Sequence, residues 1–374
     1  MSEWQKTYLR DLIVIKNGKD HKKLKNGQYP VYGSGGIMRY ADSYLYDQES
    51  VLLPRKGTLN NIQFVTEPFW TVDTCYYTVV NRDKVLPYFL YCCLCKMDIQ
   101  SLNTGSAVPS MTFEKYYSIE VPIPPLSTQH RIANILSHYD SLIENYQKQI
   151  KLLEEAAQRL YKEWFIDLRF PGHENTNLID GVPEGWEKKK VNSIIELQSG
   201  FAFKSSTFDD NGAYKIVTIK NVKDGAFDGD NVSRIVAIPE KMPKHCVLAD
   251  GDILLSLTGN VGRVCIVNGK NYLLNQRVAK LATDYKAFAY CLFRSRDMFI
   301  EVNNLANGAA QQNVSPIRIG GIKMLLPNMD MLQKFESTAS KLITRIIYLQ
   351  SQLRLLTEAR DRLLPKLMSG EITV

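Results

Sequence analysis

The sequence has no long apolar run and no recognisable signal peptide. A helix that crosses a membrane needs about 20 consecutive apolar residues, and the apolar stretches of this 374-residue chain are far shorter. Residues 1–4 do not begin a secretory signal. We therefore expect a cytoplasmic protein without membrane spans.

Cysteine is neither frequent nor regularly placed. The seven cysteines are odd in number and irregularly spaced, which fits a reducing compartment better than a disulfide framework. Cys92-x-x-Cys95 resembles half of a zinc site, but no second pair completes it and the five histidines are scattered. We predict buried thiols there and no metal site.

Catalytic motifs are also missing. Gly33-x-Gly35 lacks the third glycine of a dinucleotide loop, because position 38 is methionine. The segment before Lys270 has the wrong spacing for a phosphate loop, and Asn271 stands where Ser or Thr is needed. The Asn-Pro-Pro-aromatic box of amino-methyltransferases is absent. The sequence predicts no catalytic residue.

Charge, in contrast, is unevenly distributed. The net charge is +7, and residues 183–327 alone carry 19 Lys and Arg against 14 Asp and Glu. Residues 126–182 carry 6 against 8. The basic excess lies on the globular segments and suits a polyanionic partner, although many proteins with other functions share it.

Proline and glycine are absent between residues 129 and 165, where apolar residues recur at alternating steps of three and four. This spacing predicts one helix about 50 Å long with a heptad seam. The seam positions are Ile132, Ile135, Tyr139, Leu142, Tyr146, Gln149, Leu153, Ala156 and Leu160.

A second long helix is predicted near the C-terminus. Leu152-Leu153-x-Glu155-Ala156-x-x-Arg159-Leu160 recurs 203 residues later. A helix with an exposed apolar seam is unstable alone, so we expect the two seams to cover each other; two unrelated surface helices are the alternative. The second seam comprises Leu332, Phe335, Ala339, Leu342, Ile346, Leu349, Leu353, Leu356 and Leu363.

The remaining segments form a two-fold internal repeat. Trp186 and Gly200 follow Trp4 and Gly18 by 182 residues each. Short β-branched and aromatic runs at 29–32, 50–53, 61–65 and 75–80 predict strands, and 86–102 predicts a helix. The fold class is α+β: two mixed domains and two long helices. The predicted boundaries are a first domain at 1–125, a helix at 126–165, a linker at 166–185, a second domain at 186–327, and a second helix with the C-terminal region at 328–374.

This order has a geometric consequence. Antiparallel helices would relate the halves by a pseudo-two-fold axis and hold the domains about one helix length apart. Because one turn of DNA is about 34–36 Å, two domains held in this way could face neighbouring grooves. Parallel helices would need a longer return connection than the linker of about 20 residues supplies.

Two repeated loops are the candidate binding segments. Residues 54–61 and 256–263 each follow a strand and combine a glycine turn, small hydroxyl or amide side chains and a basic residue. Amides and hydroxyls can recognise base edges while Arg and Lys hold phosphate or guanine. The same residues are also ordinary turn formers, but their repetition favours function.

The predicted DNA contacts fall into two chemical groups. The predicted phosphate or guanine contacts are Lys19, Lys22, Lys23, Lys25, Arg55, Lys56, Arg263 and Arg277. The predicted base-recognising residues are Thr58, Asn60, Thr258, Asn260, Asn275, Gln276 and Gln311.

Several segments resemble a known family. Residues 164–171 (WFIDLRFP), 363–372 (LLPKLMSGEI), 251–254 (GDIL) and 307–313 (NGAAQQN) are similar to the specificity (S) subunits of type I restriction–modification enzymes. The resemblance covers essentially the whole chain. The first two segments are the most specific.

The resemblance implies two target-recognition domains, each of which reads half of a split, asymmetric site in double-stranded DNA. It implies that the helices set the spacing and dock two methyltransferase (M) subunits, which carry S-adenosylmethionine. Two restriction (R) subunits with ATP and Mg would complete the complex, and the S subunit itself would carry no cofactor and no catalytic site.

Domain 1 departs from the family pattern, because residues 105–110 (GSAVPS) stand where domain 2 has amides after Gly-Ala-Ala. Two alternatives remain for the chain. A coiled-coil scaffold that joins two protein-binding domains would have no DNA affinity. A self-contained nuclease or methyltransferase would need a motif that the sequence lacks.

Overall fold

The computed structural model describes residues 4–105, 107–230, 232–306 and 312–374. Contacts divide the chain into unit 1, Met1–Ile143 with Leu356–Val374, and unit 2, Glu144–Leu355. Each unit therefore contains one globular domain and part of each long helix. The predicted domain boundaries stay a prediction, because the division by contacts places each globular domain together with segments of the long helices and does not separate the domain from them.

Unit 1 is built on a four-stranded antiparallel sheet. Its elements are β1 (Gln5–Tyr8), β2 (Ile13–Lys16), β3 (Asn26–Gly33), β4 (Gly36–Ala41), β5 (Ser50–Pro54), β6 (Gln63–Val65), β7 (Trp70–Thr71), β8 (Cys75–Val80), α1 (Pro87–Cys95), α2 (Phe113–Tyr117), β9 (Glu120–Ile123) and the first part of α3 (Leu126–Tyr161). The large sheet has the order β2-β8-β5-β6, a smaller sheet has the order β4-β3-β7, and β1 pairs with β9. Strands β3 and β7 are parallel.

Unit 2 repeats this plan. Its elements are β10 (Leu178–Ile179), β11 (Val182–Pro183), β12 (Glu187–Lys190), β13 (Glu196–Ser199), β14 (Tyr214–Val217), β15 (Ser233–Ile235), β16 (Val247–Leu248), β17 (Ile253–Ser256), β18 (Val264–Ile266), β19 (Tyr272–Leu274), β20 (Val278–Ala282), α4 (Lys286–Arg294), α5 (Arg296–Asn304), α6 (Pro316–Gly320), β21 (Lys323–Leu326) and the first part of α7 (Met329–Met368). The order β13-β20-β17-β18 matches β2-β8-β5-β6, and the parallel pair β14–β19 matches β3–β7. The predicted internal repeat is confirmed.

The repeated glycines have a steric explanation. A Cβ at Gly18 would lie 2.0 Å from the carbonyl oxygen of Val72, and a Cβ at Gly200 would lie 2.3 Å from that of Asn275. These distances are far below van der Waals contact, so both domains need glycine where the chain passes a neighbouring backbone.

The two long helices are antiparallel. In unit 1, Arg360 of α7 forms an ion pair with Asp140 of α3 at 2.9 Å, and the ends 132–136 and 367–368 share one core. In unit 2, the rings of Phe165, in the π-helical turn that follows α3, and Phe335 of α7 are 4.8 Å apart. Early residues of one helix therefore accompany late residues of the other in each unit. The predicted α+β architecture with two antiparallel helices is confirmed.

The predicted seam is correct for α7 but only partly correct for α3. Every seam position of α7 is buried or half-buried. In α3, Leu142 is 45% exposed while its neighbour Ile143 is buried, and Ala157 is buried in place of Ala156. A strict heptad pattern misses this shift because α3 packs against the globular domains as well as against α7.

Each domain is attached to a long helix by a side chain that caps its central helix. Gln129 of α3, fully buried, accepts from the backbone N–H of Leu86 at 2.9 Å, just before α1. Glu336 of α7 accepts from the N–H groups of Ala287 and Phe288 at 2.9 and 3.0 Å, in the first turn of α4. Acceptors at a helix N-terminus satisfy otherwise unpaired N–H groups. Burial raises the pKa of the Glu336 carboxyl, and the two N–H donors oppose that rise.

None of the described helices is both long enough and apolar enough to span a bilayer.

Candidate nucleic-acid interface

The loop after β5 of domain 1 is held by a second loop of the same domain. The N–H of Gly57 donates to the carbonyl of Pro109 at 2.9 Å, and Lys56 forms a backbone bridge with Ser110. Gly57 has φ +90°, which favours glycine. The loop that carries Arg55, Lys56 and Thr58 is therefore fixed by backbone contacts.

Domain 2 uses the same backbone contacts after β17. The N–H of Gly259 donates to the carbonyl of Gln312 at 2.8 Å, and Thr258 bridges Asn313. A further hydrogen bond also recurs: Met111 donates to Arg55 at 2.9 Å in domain 1, and Val314 donates to Leu257 at 3.0 Å in domain 2. Both domains therefore present their loops on a common backbone frame.

A third segment joins each set of loops. The N–H of Lys19 donates to the carbonyl of Thr71, and that of Phe201 donates to the carbonyl of Leu274, both at 2.8 Å. In domain 2 a second hydrogen bond joins the same segments, because the N–H of Gln276 donates to the carbonyl of Phe201 at 3.0 Å. The loop surface of each domain is thus made of segments that are distant in sequence: 17–19, 54–61, 71–75 and 109–110 in domain 1, and 199–201, 256–263, 274–277 and 312–313 in domain 2.

The predicted cations lie on this surface or next to it. Lys56 and Arg277 are exposed. Arg55 is half-buried, with its guanidinium 5.8 Å from the ring centre of Tyr76, and Arg263 is also half-buried. The exposed lysines Lys19, Lys22, Lys23 and Lys25 lie on the loop that leads from the Thr71 contact into β3.

The predicted base-recognising residues separate into two groups. Thr58, Asn260 and Gln276 are exposed, and none of the described residues forms a hydrogen bond with their side chains. The side chains of a second group are engaged within their own domain, and Gln311 lies outside the described residues.

Three side chains make up the engaged group. Asn60 donates to Asp98 at 3.3 Å and accepts from the N–H of Gln100 at 2.7 Å. Thr258, 8% exposed, donates to Asn313 at 2.9 Å. Asn275 accepts from the N–H of Arg277 at 3.3 Å.

Sequence reasoning missed one element of the domain 1 surface, the tip of the β3–β4 hairpin. Asn61 donates to the carbonyl of Ser34 at 2.8 Å, and a Cβ at Gly57 would lie 3.2 Å from the Ser34 hydroxyl. The run Gly33-Ser34-Gly35-Gly36 predicts only a break between strands. Two consecutive large apolar residues, Ile37 and Met38, directly after a glycine-rich turn were the available signal.

Two thiols of the cysteine motif lie in the apolar core of domain 1. Cys92 and Cys93 are buried, as predicted, whereas Cys95 is exposed. Burial raises the pKa of the Cys92 thiol to about 12, so the thiolate that binds zinc is disfavoured. Across residues 4–105, 107–230, 232–306 and 312–374, no group of three or more His, Cys, Asp or Glu residues is placed to hold a metal ion.

Comparison with known proteins identifies the family. The type I restriction modification DNA specificity domain matches residues 1–155 and 183–353. The chain is 30% identical to the type I restriction enzyme MjaVIII specificity subunit of Methanocaldococcus jannaschii, over 98% of this chain and 85% of that protein. It is 27% identical to the MjaIX specificity subunit of the same organism, over 94% of this chain and 86% of the relative.

The fold has a solved counterpart. The type I restriction–modification S subunit from M. genitalium superimposes with a TM-score of 0.69, covers 98% of this chain and 96% of its own, and is 18% identical. The matched family is one of DNA specificity and not of methyl transfer or cleavage, which confirms the prediction of a non-catalytic subunit. The chain therefore belongs to the family of type I restriction–modification DNA specificity subunits.

Proposed function

We propose that each domain reads one half of a split DNA site and that α3 and α7 fix the distance between the two halves. The observation that carries this proposal is the repeated loop frame, in which the same backbone hydrogen bonds hold different side chains. A common frame with different side chains suits two sites of similar geometry and different sequence.

Within each domain, the cations hold the backbone and the exposed amides and hydroxyls distinguish bases. Lys56 of domain 1 and Arg277 of domain 2 are the cations best placed for phosphate or guanine, because both are exposed on the loop surface. Thr58, Asn260 and Gln276 are the leading base-recognising residues. Asn60, Thr258 and Asn275 support their loops and would have to exchange internal hydrogen bonds to reach DNA. Gln311 remains a candidate on sequence grounds alone.

The long helices dock two methyltransferase subunits. The repeated motif places leucines at equivalent exposed positions, since Leu152 is 64% and Leu355 is 49% exposed. An exposed acidic and an exposed basic residue follow each leucine at helical spacing. They are Glu155 and Arg159 on α3, and Glu358 and Arg362 on α7. Two equivalent apolar and charged stripes fit two copies of one partner, one on each helix.

The rest of the complex supplies the chemistry. The M subunits hold S-adenosylmethionine, and two R subunits that use ATP and Mg complete the restricting form. This chain supplies DNA recognition and assembly and carries no cofactor. A complex that modifies the chromosome of its own cell acts in the cytoplasm.

The test requires the chain purified together with its M subunit. Sequencing the methylated bases of the host gives the split motif. We expect this complex to retard a duplex that carries the motif, and to lose at least tenfold in affinity when either half is scrambled or when one base pair is added between the halves. Equal affinity for all these duplexes would contradict the proposal. No salt-dependent affinity for any duplex would favour the scaffold alternative.

A further inference from the structure

The β3–β4 hairpin of domain 1 presents two large apolar side chains to solvent. Ile37 is 49% exposed and Met38 is 58% exposed. Met38 is the extra residue of a β-bulge, because Tyr32 pairs with Ile37 and Val31 pairs with Arg39. Two adjacent exposed apolar side chains at one tip are typical of a surface that a partner covers.

The tip belongs to the same surface as the proposed DNA-contacting loop. Its two-residue turn, Ser34-Gly35, joins Gly33 to Gly36, which are paired in register. Asn61 donates to the carbonyl of Ser34 at 2.8 Å, and Gln63 donates to that of Gly33 at 3.5 Å. The tip is therefore connected to the segment that carries Arg55, Lys56 and Thr58.

Charge favours DNA as the partner. Arg39 is the only charged residue of the segment 33–41. Lys56 and Arg55 belong to the loop that contacts the tip through Asn61, and the basic loop at 19–25 adjoins the far end of β4, where the N–H of Asp42 donates to Lys25. An apolar tip with one cationic segment beside it and another at the opposite end of the hairpin suits a duplex, whose phosphates lie on either side of an apolar and polar groove.

The groove itself supplies the matching chemistry. The major groove is wide enough for a two-stranded β-ribbon, and its only exposed apolar group is the thymine methyl. We infer that the tip of the β3–β4 hairpin enters the major groove of the domain 1 half-site and that Ile37 and Met38 contact thymine methyl groups there. This inference rests on the proposed function of domain 1.

The described residues of domain 2 do not form an equivalent tip between the corresponding strands. Its corresponding strands, β14 and β15, are joined by residues 218–232 and not by a two-residue turn. Val222 and Phe227 form a backbone bridge within the described part of this connection, and Val222 is buried. Recognition of thymine methyls by a hairpin tip is therefore assigned to domain 1.

The test compares thymine with uracil, which lacks only the methyl group. Wild-type chain and an Ile37→Ala/Met38→Ala variant are each purified with the M subunit and titrated with the split motif. One duplex contains thymine throughout, and two others contain uracil in one half-site or the other. Because burying a methyl-sized group changes affinity by about fourfold, we expect the wild-type complex to bind at least fourfold more weakly when uracil replaces thymine in the domain 1 half-site.

The double variant identifies that half-site. We expect it to bind the thymine duplex at least fourfold more weakly than wild type and to have lost the thymine–uracil difference in one half-site only. Val14→Ala is the matched control, because Val14 is 50% exposed on a strand of the other sheet of domain 1; it should leave affinity and the thymine–uracil difference unchanged. An unchanged thermal midpoint establishes that the double variant is folded.

Two results would overturn the inference. One is a wild-type complex that recognises the split motif but binds uracil and thymine duplexes equally. The other is a double variant with normal DNA affinity and weakened assembly with the M subunit, which would assign the tip to a protein contact. A wild-type complex that does not distinguish the motif from random DNA would instead contradict the proposed function itself.

Discussion

The two domains share a backbone frame but differ at one buried position. In domain 1, the hydroxyl of Ser50 donates to the carbonyl of Thr78 at 2.8 Å. The equivalent residue of domain 2, 202 positions later, is Asp252, which forms an ion pair with Lys280 at 2.8 Å; the strand register gives Lys280 the place of Tyr77. One buried position in the frame thus accepts either a neutral hydroxyl or a charged carboxylate. Strand order and backbone hydrogen bonds define the domain, and the side chains on this frame can differ. Two domains that recognise different DNA sequences require such a frame.

The largest expected effect comes from breaking the charged pair of domain 2. Asp252→Ala should destabilise unit 2 by about 3–5 kcal/mol, because it leaves the largely buried Lys280 without its partner. Ser50→Ala should cost unit 1 only about 1–2 kcal/mol, since the lost hydrogen bond is neutral. Urea unfolding measures both values, and tryptophan fluorescence reports on both units, because Trp4 and Trp70 belong to unit 1 and Trp164 and Trp186 to unit 2.

The double variant Asp252→Ala/Lys280→Met provides the control. It should recover part of the loss, because no buried charge is left unpaired. Equal costs for Asp252→Ala and Ser50→Ala would mean that the two pairs are not energetically different, and the comparison would fail.

The repeated glycines offer a symmetrical test of the frame. Gly18→Ala and Gly200→Ala should each destabilise their own unit by about 2–3 kcal/mol, because the new Cβ would meet a carbonyl oxygen at 2.0 or 2.3 Å. Each variant should weaken recognition of only one half-site in binding titrations. Gly35→Ala is the control for stability, since no atom lies within 4 Å of a Cβ at that position. A glycine variant with unchanged stability would show that the backbone approach is looser than described.

A pH titration tests the different caps of α1 and α4. Burial holds the pKa of Glu336 above its usual value, so the protonated carboxyl is favoured in the folded chain. The stability that the Glu336 carboxyl contributes is therefore fully present below the usual carboxyl pKa, and it is lost as pH rises through the raised pKa of the folded chain. The neutral Gln129 contributes no such dependence in unit 1.

The experiment compares wild type with Glu336→Gln across this pH range. Wild-type unit 2 should lose stability relative to the variant as pH rises from about 4.5 toward 7. The pKa of Glu154 is also raised by burial, but Glu154 is present in both proteins and largely cancels in the difference. A constant difference between the two proteins across this range would contradict the assignment.

The smallest expected effects concern single phosphate contacts. Lys56→Ala in domain 1 and Arg277→Ala in domain 2 should each lower the slope of log affinity against log salt by about 0.9, with equal loss on all sequences. Lys341→Ala, an exposed cation of α7, should leave the slope unchanged. A loss of affinity for only one base pair would instead make the altered residue a base contact.

The sequence predicts the long helices and the repeat well, because their signals are local. Heptad spacing without proline or glycine between 129 and 165 is enough to define α3, and strand runs with matched glycines define the repeat. The phase of α3 could not be predicted: Leu142 lies on the heptad seam and yet is exposed, because packing against a folded domain competes with packing against one helix.

The candidate site was predictable only in part, because its contacts join distant segments. The amide of Asn60 is engaged by residues about 40 positions away, and the Thr258 hydroxyl by Asn313, 55 positions away. Sequence patterns identify the correct loops but cannot show which side chains are already engaged. The hairpin tip at Ser34 was missed for the same reason, since its contact with Asn61 is formed only in the folded domain.

The most direct test of the central claim is the methylated motif produced by a variant of one domain. The full complex carrying Asn260→Ala and Gln276→Ala is expressed in a host that lacks other modification, and methylated bases are sequenced genome-wide. We predict relaxed or altered bases in one half of the split motif, with the other half and the spacing unchanged. Changes in both halves, or an unaltered motif, would contradict independent reading of two half-sites by two domains.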